Sequence, residues 1–121
     1  MSIFAWLFLG HFVADWLFQS DWMAIGKRTR LISWPGVIHY SVYTAIILGI
    51  IALYTWGAIP WFTLGGIGLI IFLSHWLLDA SSLVGQWMRL FGQRDQPMVR
   101  IVVDQTFHLL VLALITALFL V

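Results

Sequence analysis

The sequence predicts an all-α integral membrane four-helix bundle, and three observations carry that prediction. Hydrophobic residues make up 62% of the chain and charged residues only 9%, where a soluble domain has about 25% charged residues; mean hydropathy is +0.98. Four apolar runs cover about residues 2–22, 36–56, 61–86 and 98–121, each near the ~20 residues that cross a bilayer as a helix. Five of the six Lys and Arg residues fall on the first and third links between those runs, and the sixth, Arg100, follows close behind the third link. At 121 residues the chain is expected to form one domain, residues 1–121.

The first run lacks a basic leading segment and a small-residue cleavage site, and His11 and Asp15 interrupt it. It therefore reads as a retained span rather than a signal peptide. Lys27, Arg28 and Arg30 follow, and the break Trp34-Pro35-Gly36 opens the second helix. The link around Gly57 to Pro60 carries no charge. The third run is expected to continue to residue 86, with Gly68, His75, Asp79, Ser82 and Gln86 on one small or polar face. Arg89, Arg94, Asp95 and Pro97 make the last link. Arg100 follows one turn before Asp104 and is expected to pair with it. Asp21 and Asp95, in or beside the polar links, are expected to be solvated.

Two hairpins result. The positive-inside rule makes the basic links cytoplasmic and puts both termini on the non-cytoplasmic side of the membrane. Trp22, Trp34 and Trp87 flank the basic side and Trp56 and Trp61 the other, as an aromatic belt does. The absence of cysteine excludes disulfides, thiolate metal sites and thiol catalysis. A net charge of +1 with so few basic residues gives no support to nucleic-acid binding.

Ionisable residues inside such spans are costly and mark function by default. Here they recur as one motif. His11 and Asp15, and again His75 and Asp79, stand four apart; Asp104 and His108 repeat the pair in reverse. A spacing of four puts both members on one helix face. Measured from the cytoplasmic helix ends at about 1.5 Å per residue, Asp15, Asp79 and Asp104 all lie roughly 10 Å deep, and His11, His75 and His108 roughly 15–16 Å. The last helix runs away from the cytoplasm, so its motif must be reversed to match. His39 enters near the same end of the second helix, with Tyr43 one turn deeper as an ordinary packed tyrosine. Gln19 and Gln105 are expected to hydrogen-bond between helices.

Imidazole and carboxylate together are the ligand set of zinc, manganese and non-haem iron. Buried carboxylates must be neutralised, paired or metal-bound, and the bundle offers few internal cations. His11, Asp15, His39, His75, Asp79, Asp104 and His108 are therefore the candidate ligands of a divalent metal ion, zinc first and manganese or iron as alternatives. They are enough for one metal with an outer shell of hydrogen bonds, or for two metals. Asp15, Asp79 and Asp104 are the candidate catalytic groups, an uncoordinated one serving as general base. A haem with an aspartate one turn from each axial histidine is a poor fit. The expected function is metal-dependent hydrolysis of a membrane-associated or lipid-linked substrate, near the phosphate esters of the head groups. Two other readings stand beside it: an accessory subunit of a larger membrane complex, or a homo-oligomer, with a structural polar centre; and a proton or cation conduit.

The strings GHFVADWLFQSDWMA, SHWLLD and DQTFHLL, with a histidine opening the second helix, resemble a bacterial and phage family of small membrane proteins known as domain of unknown function 3307. The likeness runs over nearly the whole chain, with the motifs in the family's order. A weaker likeness joins it to membrane-bound metal-dependent hydrolases. The resemblance implies a metal site at the seven residues named above and supplies no substrate. It also marks two departures. Pro35 and Tyr43 stand four residues either side of His39, where members often carry a second histidine. Ala80-Ser81-Ser82 stands where a lysine often follows the third-helix motif.

Overall fold

The computed structural model describes all 121 residues as helices joined by short turns, with no strand. Ser2 starts α1 (Ile3–Phe12) by accepting a hydrogen bond from the Ala5 amide. The chain then widens into a π-helical turn, Val13–Leu17, with the Phe18 amide donating to the Val13 carbonyl at 3.1 Å. Ser20 caps a short α2 (Asp21–Gly26) in the same way as Ser2 caps α1. Ser33 and Pro35 open α3 (Trp34–Tyr54), a serine cap and an early proline being a standard helix start. Next come α4 (Trp61–Ala80), α5 (Leu83–Leu90) and α6 (Pro97–Ile115), the last continued by a π-helical turn, Thr116–Leu120.

Helices α1, α3, α4 and α6 close a ring in which each packs against the next, and α6 returns to α1. Their inward faces join Leu7, Ile47, Ile51, Ile67, Ile71, Leu112 and Ile115 into one apolar core. Gly10 permits the α1–α3 approach: a Cβ there would run into the end of the Ile50 side chain. Gly68 does the same for α4 against Leu48, as its small-residue face predicts. The outer faces leave Leu53, Leu69, Leu114 and Leu118 exposed, a surface suited to lipid rather than water.

Three helices are long and apolar enough to cross a membrane: α3, α4, and α6 with its π-helical end. The first apolar segment is shorter, Ile3–Leu17, and not the expected 2–22. Phe18 leaves the helical region, and Ser20 caps a new helix instead of continuing the old one. The third run likewise ends at Ala80 rather than 86. Ser81 turns extended, and its hydroxyl accepts from the Leu83 amide at 3.3 Å; such local bonds compete with helix continuation. Ser82 and Gln86 thus leave the His75–Asp79 face and bond to each other on an exposed side of α5. Helix α5 turns Val84 and Met88 inward and lies against α4 and α6.

Candidate functional site

His75 and Asp79 sit in the last two turns of α4, His39 in the second turn of α3, and His108 midway along α6. Asp15 is carried by the π-helical turn, a feature frequent at functional sites. A wider turn suits the sequence locally. Polar residues at 11, 15 and 19 repeat every four, and an α-helix of 3.6 residues per turn would drift away from them.

Four donor atoms converge from the π-helical turn after α1, from α3 and from α4. His39 Nε2 lies 3.0 Å from His75 Nε2, 3.1 Å from Asp15 Oδ1 and 3.5 Å from Asp79 Oδ2. His75 Nε2 lies 3.5 Å from Asp15 Oδ1 and 3.1 Å from Asp79 Oδ2. The side chains of all four are at most 5% exposed. Asp15 Oδ1 has no hydrogen-bond partner.

A second group shares Asp79. The other carboxylate oxygen of Asp79, Oδ1, faces His108 Nε2 at 3.3 Å, and His108 Nδ1 lies 3.9 Å from Asp104 Oδ2. His108 Nδ1 donates to the Asp104 carbonyl at 2.8 Å. That bond leaves a lone pair on Nε2 of the neutral ring. A lone pair and a carboxylate oxygen at 3.3 Å repel unless a positive charge, a ring proton or a metal ion, joins them.

His11 stands outside both groups. It accepts from the Tyr43 hydroxyl at Nδ1, 2.8 Å, and donates from Nε2 to Gln105 Oε1, 2.7 Å. Gln105 Nε2 in turn donates to Asp15 Oδ2 at 2.9 Å and Asp104 Oδ2 at 3.1 Å. Both ring nitrogens of His11 are therefore used, and the residue works through Gln105 to fix one oxygen of Asp15 while the other faces His39. Tyr43 has its hydroxyl satisfied as expected, and Gln105 bridges helices as expected. Gln19 does not: its Oε1 is buried with no partner.

Lys27 was read from the sequence as a topology signal on a solvated link. It is 4% exposed. Its ammonium donates to Asp79 Oδ2 at 2.6 Å, with His39 Nε2 at 3.4 Å and Asp15 Oδ1 at 4.0 Å. The segment around it is pinned. Thr29 and Ser33 hydroxyls donate to the Gly26 carbonyl, and the Trp76 indole donates to Leu31 O at 2.7 Å. Gly26 lies so close to the Pro35 ring that a Cβ would overlap it. The only sequence signal was Gly26 itself, just before the lysine. The cluster thus has an internal cation that the sequence reading did not count. Arg100 is not a second one: it pairs with Asp95 at 2.9 Å instead of Asp104, because both lie together at the exposed start of α6. Asp95, though paired, keeps its side chain 73% exposed, and Asp21 is exposed too, both as expected.

The donor set and its spacing fit a divalent ion. Tetrahedral zinc with bonds of about 2.0–2.1 Å separates its ligands by about 3.3–3.4 Å; five of the six donor separations here are 3.0–3.5 Å. Against the fit, Nδ1 of His39 and of His75 has no partner, although metal-bound imidazoles normally donate from the other nitrogen.

A helical, apolar-surfaced bundle with three helices able to span a membrane and a buried His/Asp/Lys centre defines a class of polytopic membrane-type proteins. A family model matches residues 3–121, and the chain belongs to that family, described as Protein of unknown function (DUF3307). No curated protein and no solved structure matches it, so the likeness to membrane-bound hydrolases has no matched relative behind it.

Proposed function

We propose that this chain is a multi-pass protein of the bacterial inner membrane whose polar centre binds one divalent metal ion, zinc by its ligand set, and hydrolyses a membrane-associated substrate. In this reading all four ring helices cross the bilayer, the short α1 span included, with the basic links cytoplasmic and both termini outside. The observation that carries it is the near-tetrahedral spacing of Asp15, His39, His75 and Asp79, four buried donors from three separate segments. A bound divalent ion would supply Lewis acidity. The chain's own residues supply the rest. Asp104 is 22% exposed at its side chain and held by Gln105, so it is the carboxylate free to take a proton from water as general base. The Lys27 ammonium sits where it can offset negative charge developing beside Asp79.

Lys27 favours a second reading, in which its ammonium is the resident cation and the centre only fixes helix register, as in an accessory subunit. Elemental analysis of protein purified in an uncharged detergent separates the two. The metal reading expects about one equivalent of metal per chain, lost in Asp79→Asn and His75→Ala. Metal-free wild-type protein with an intact fold, unable to take up added zinc, would remove it.

A further inference from the structure

We infer that the pocket between α5 and the start of α6 binds the phosphoryl group of a membrane-resident substrate, with Arg28 and Arg100 as its anion-binding residues. This rests on the metal reading above, because the pocket ends at that centre. Its volume is about 380 Å³, and its walls include Arg28, Asp79, Ser81, Val84, Arg100 and Asp104. It is graded in depth. Arg28 is exposed, the Arg100 side chain is 44% exposed, Asp104 is 22%, and Asp79 is 3%. A ligand entering there meets two guanidiniums first and the shared carboxylate of the two donor groups last.

Both arginines have hydrogen-bonding capacity to spare. Arg28 makes no ion pair in the protein. Arg100 spends Nε and Nη2 on Asp95 and leaves Nη1 without a hydrogen bond. Gly85 lies beside the guanidinium, where even a Cβ would make only ordinary contact with Nη1, at 3.7 Å. Planar guanidinium forks match phosphate oxygens in geometry and charge. The Ser81 hydroxyl, which accepts from Leu83 N, still has its own proton to donate.

The location selects a substrate held in the bilayer. Helix α5 buries Val84 and Met88 and exposes Trp87, Leu90 and Phe91 beside Arg89 and Arg94. Basic and aromatic residues around an amphipathic helix mark the head-group level of a membrane. The pocket mouth therefore lies where phosphate esters of lipids lie. The acidic inner end, Asp79 and Asp104, repels a bare phosphate, a repulsion that a bound divalent ion would offset.

The test titrates purified protein in uncharged detergent with two probes, a short-chain phosphatidic acid and inorganic phosphate, and measures metal content on the same samples. Wild-type protein is expected to bind the phosphatidic acid saturably and more tightly than inorganic phosphate. The double variant Arg28→Gln/Arg100→Gln should weaken it at least ~tenfold with metal content unchanged, each single variant should weaken it in part, and Arg94→Gln, outside the pocket, should not. Equal affinity for the two probes would make free phosphate the ligand and overturn the membrane-resident source. Unchanged binding in the double variant of metal-loaded protein, or equal loss in Arg94→Gln, would overturn the pocket. Metal-free protein that still binds through the two arginines would remove the metal reading and leave the anion site standing.

Discussion

Replacing Lys27 by methionine keeps the length and most of the volume of the side chain and removes its charge. The ammonium lies 2.6 Å from Asp79 Oδ2 and 4.0 Å from Asp15 Oδ1. At an effective dielectric of about 20, these separations correspond to gross attractions of about 6 and about 4 kcal/mol. Desolvation of the charges offsets much of that, and removing one partner of a buried pair typically costs about 3–5 kcal/mol. Metal-free Lys27→Met is therefore expected to lose about 3–5 kcal/mol of stability, read by denaturant unfolding in detergent. Adding Asp79→Asn should recover part of the loss, with a coupling of about 2–3 kcal/mol between the two positions. Metal binding should move the other way. Lys27 repels a divalent ion placed among the same donors, so its loss should tighten zinc at least ~tenfold, equivalent to about 1.4 kcal/mol, in a competition with a coloured chelator. Stability unchanged in the metal-free variant would refute the buried pair. Zinc binding weakened by Lys27→Met would refute the placement of the ion among Asp15, His39, His75 and Asp79.

Two further predictions follow from the packing. Gln105→Leu removes partners from His11, Asp15 and Asp104 together; it should cost about 1–3 kcal/mol in unfolding experiments and weaken metal binding about 10–100-fold as an outer-shell change, and a variant as stable and as tight as wild type would contradict the network. Gly26→Ala should destabilise by about 1–3 kcal/mol, because the new methyl meets the rigid Pro35 ring, whereas Gly49→Ala, with open space around it, should gain about 0.5–1 kcal/mol from helix propensity; equal effects on the unfolding midpoint would overturn that contrast.

The spacing of the polar residues was readable because a bilayer leaves few reasons for them. His11, Asp15, His75, Asp79, Asp104 and His108 are conspicuous against Leu, Ile and Phe, and the depth argument placed them in two adjacent layers, carboxylates below imidazoles. All the residues it singled out do lie in one contiguous network. What sequence could not divide was direct convergence from support. His11 and Asp15 carry the same spacing as His75 and Asp79, yet His11 is turned to Tyr43 and Gln105 by the wider π-helical turn that follows it. Charge was misread at the one residue whose backbone lies outside the apolar runs. Lys27 begins in a basic link, and only the α2 turn, held by Gly26 against Pro35, sends its side chain back inside. The helix ends at Leu17 and Ala80 were hidden for a similar reason: hydropathy averages over Ser20 and Ser81-Ser82, whose local hydrogen bonds decide where the helix stops.

The charges of the centre bear on how many ions it can hold. With every imidazole neutral, Asp15, Asp79 and Asp104 bring three negative charges, and Lys27 brings the only lysine or arginine charge in contact with them. Arg100, the nearest arginine in sequence, is spent on Asp95 at the surface. Two negative charges are left in a medium where uncompensated charge costs several kcal/mol. One divalent ion cancels them; a monovalent ion leaves one over; two divalent ions overshoot by as much as the empty centre falls short. The two donor groups share Asp79, a geometry that otherwise invites a pair of metals, but the charge balance admits one. His108 then has a defined part. Its Nδ1 is tied to the Asp104 carbonyl, so its Nε2 lone pair faces Asp79 Oδ1 at 3.3 Å and needs a proton or a metal ion between them. With the imidazoles neutral, one divalent ion per chain, rather than two, is the stoichiometry the metal reading expects.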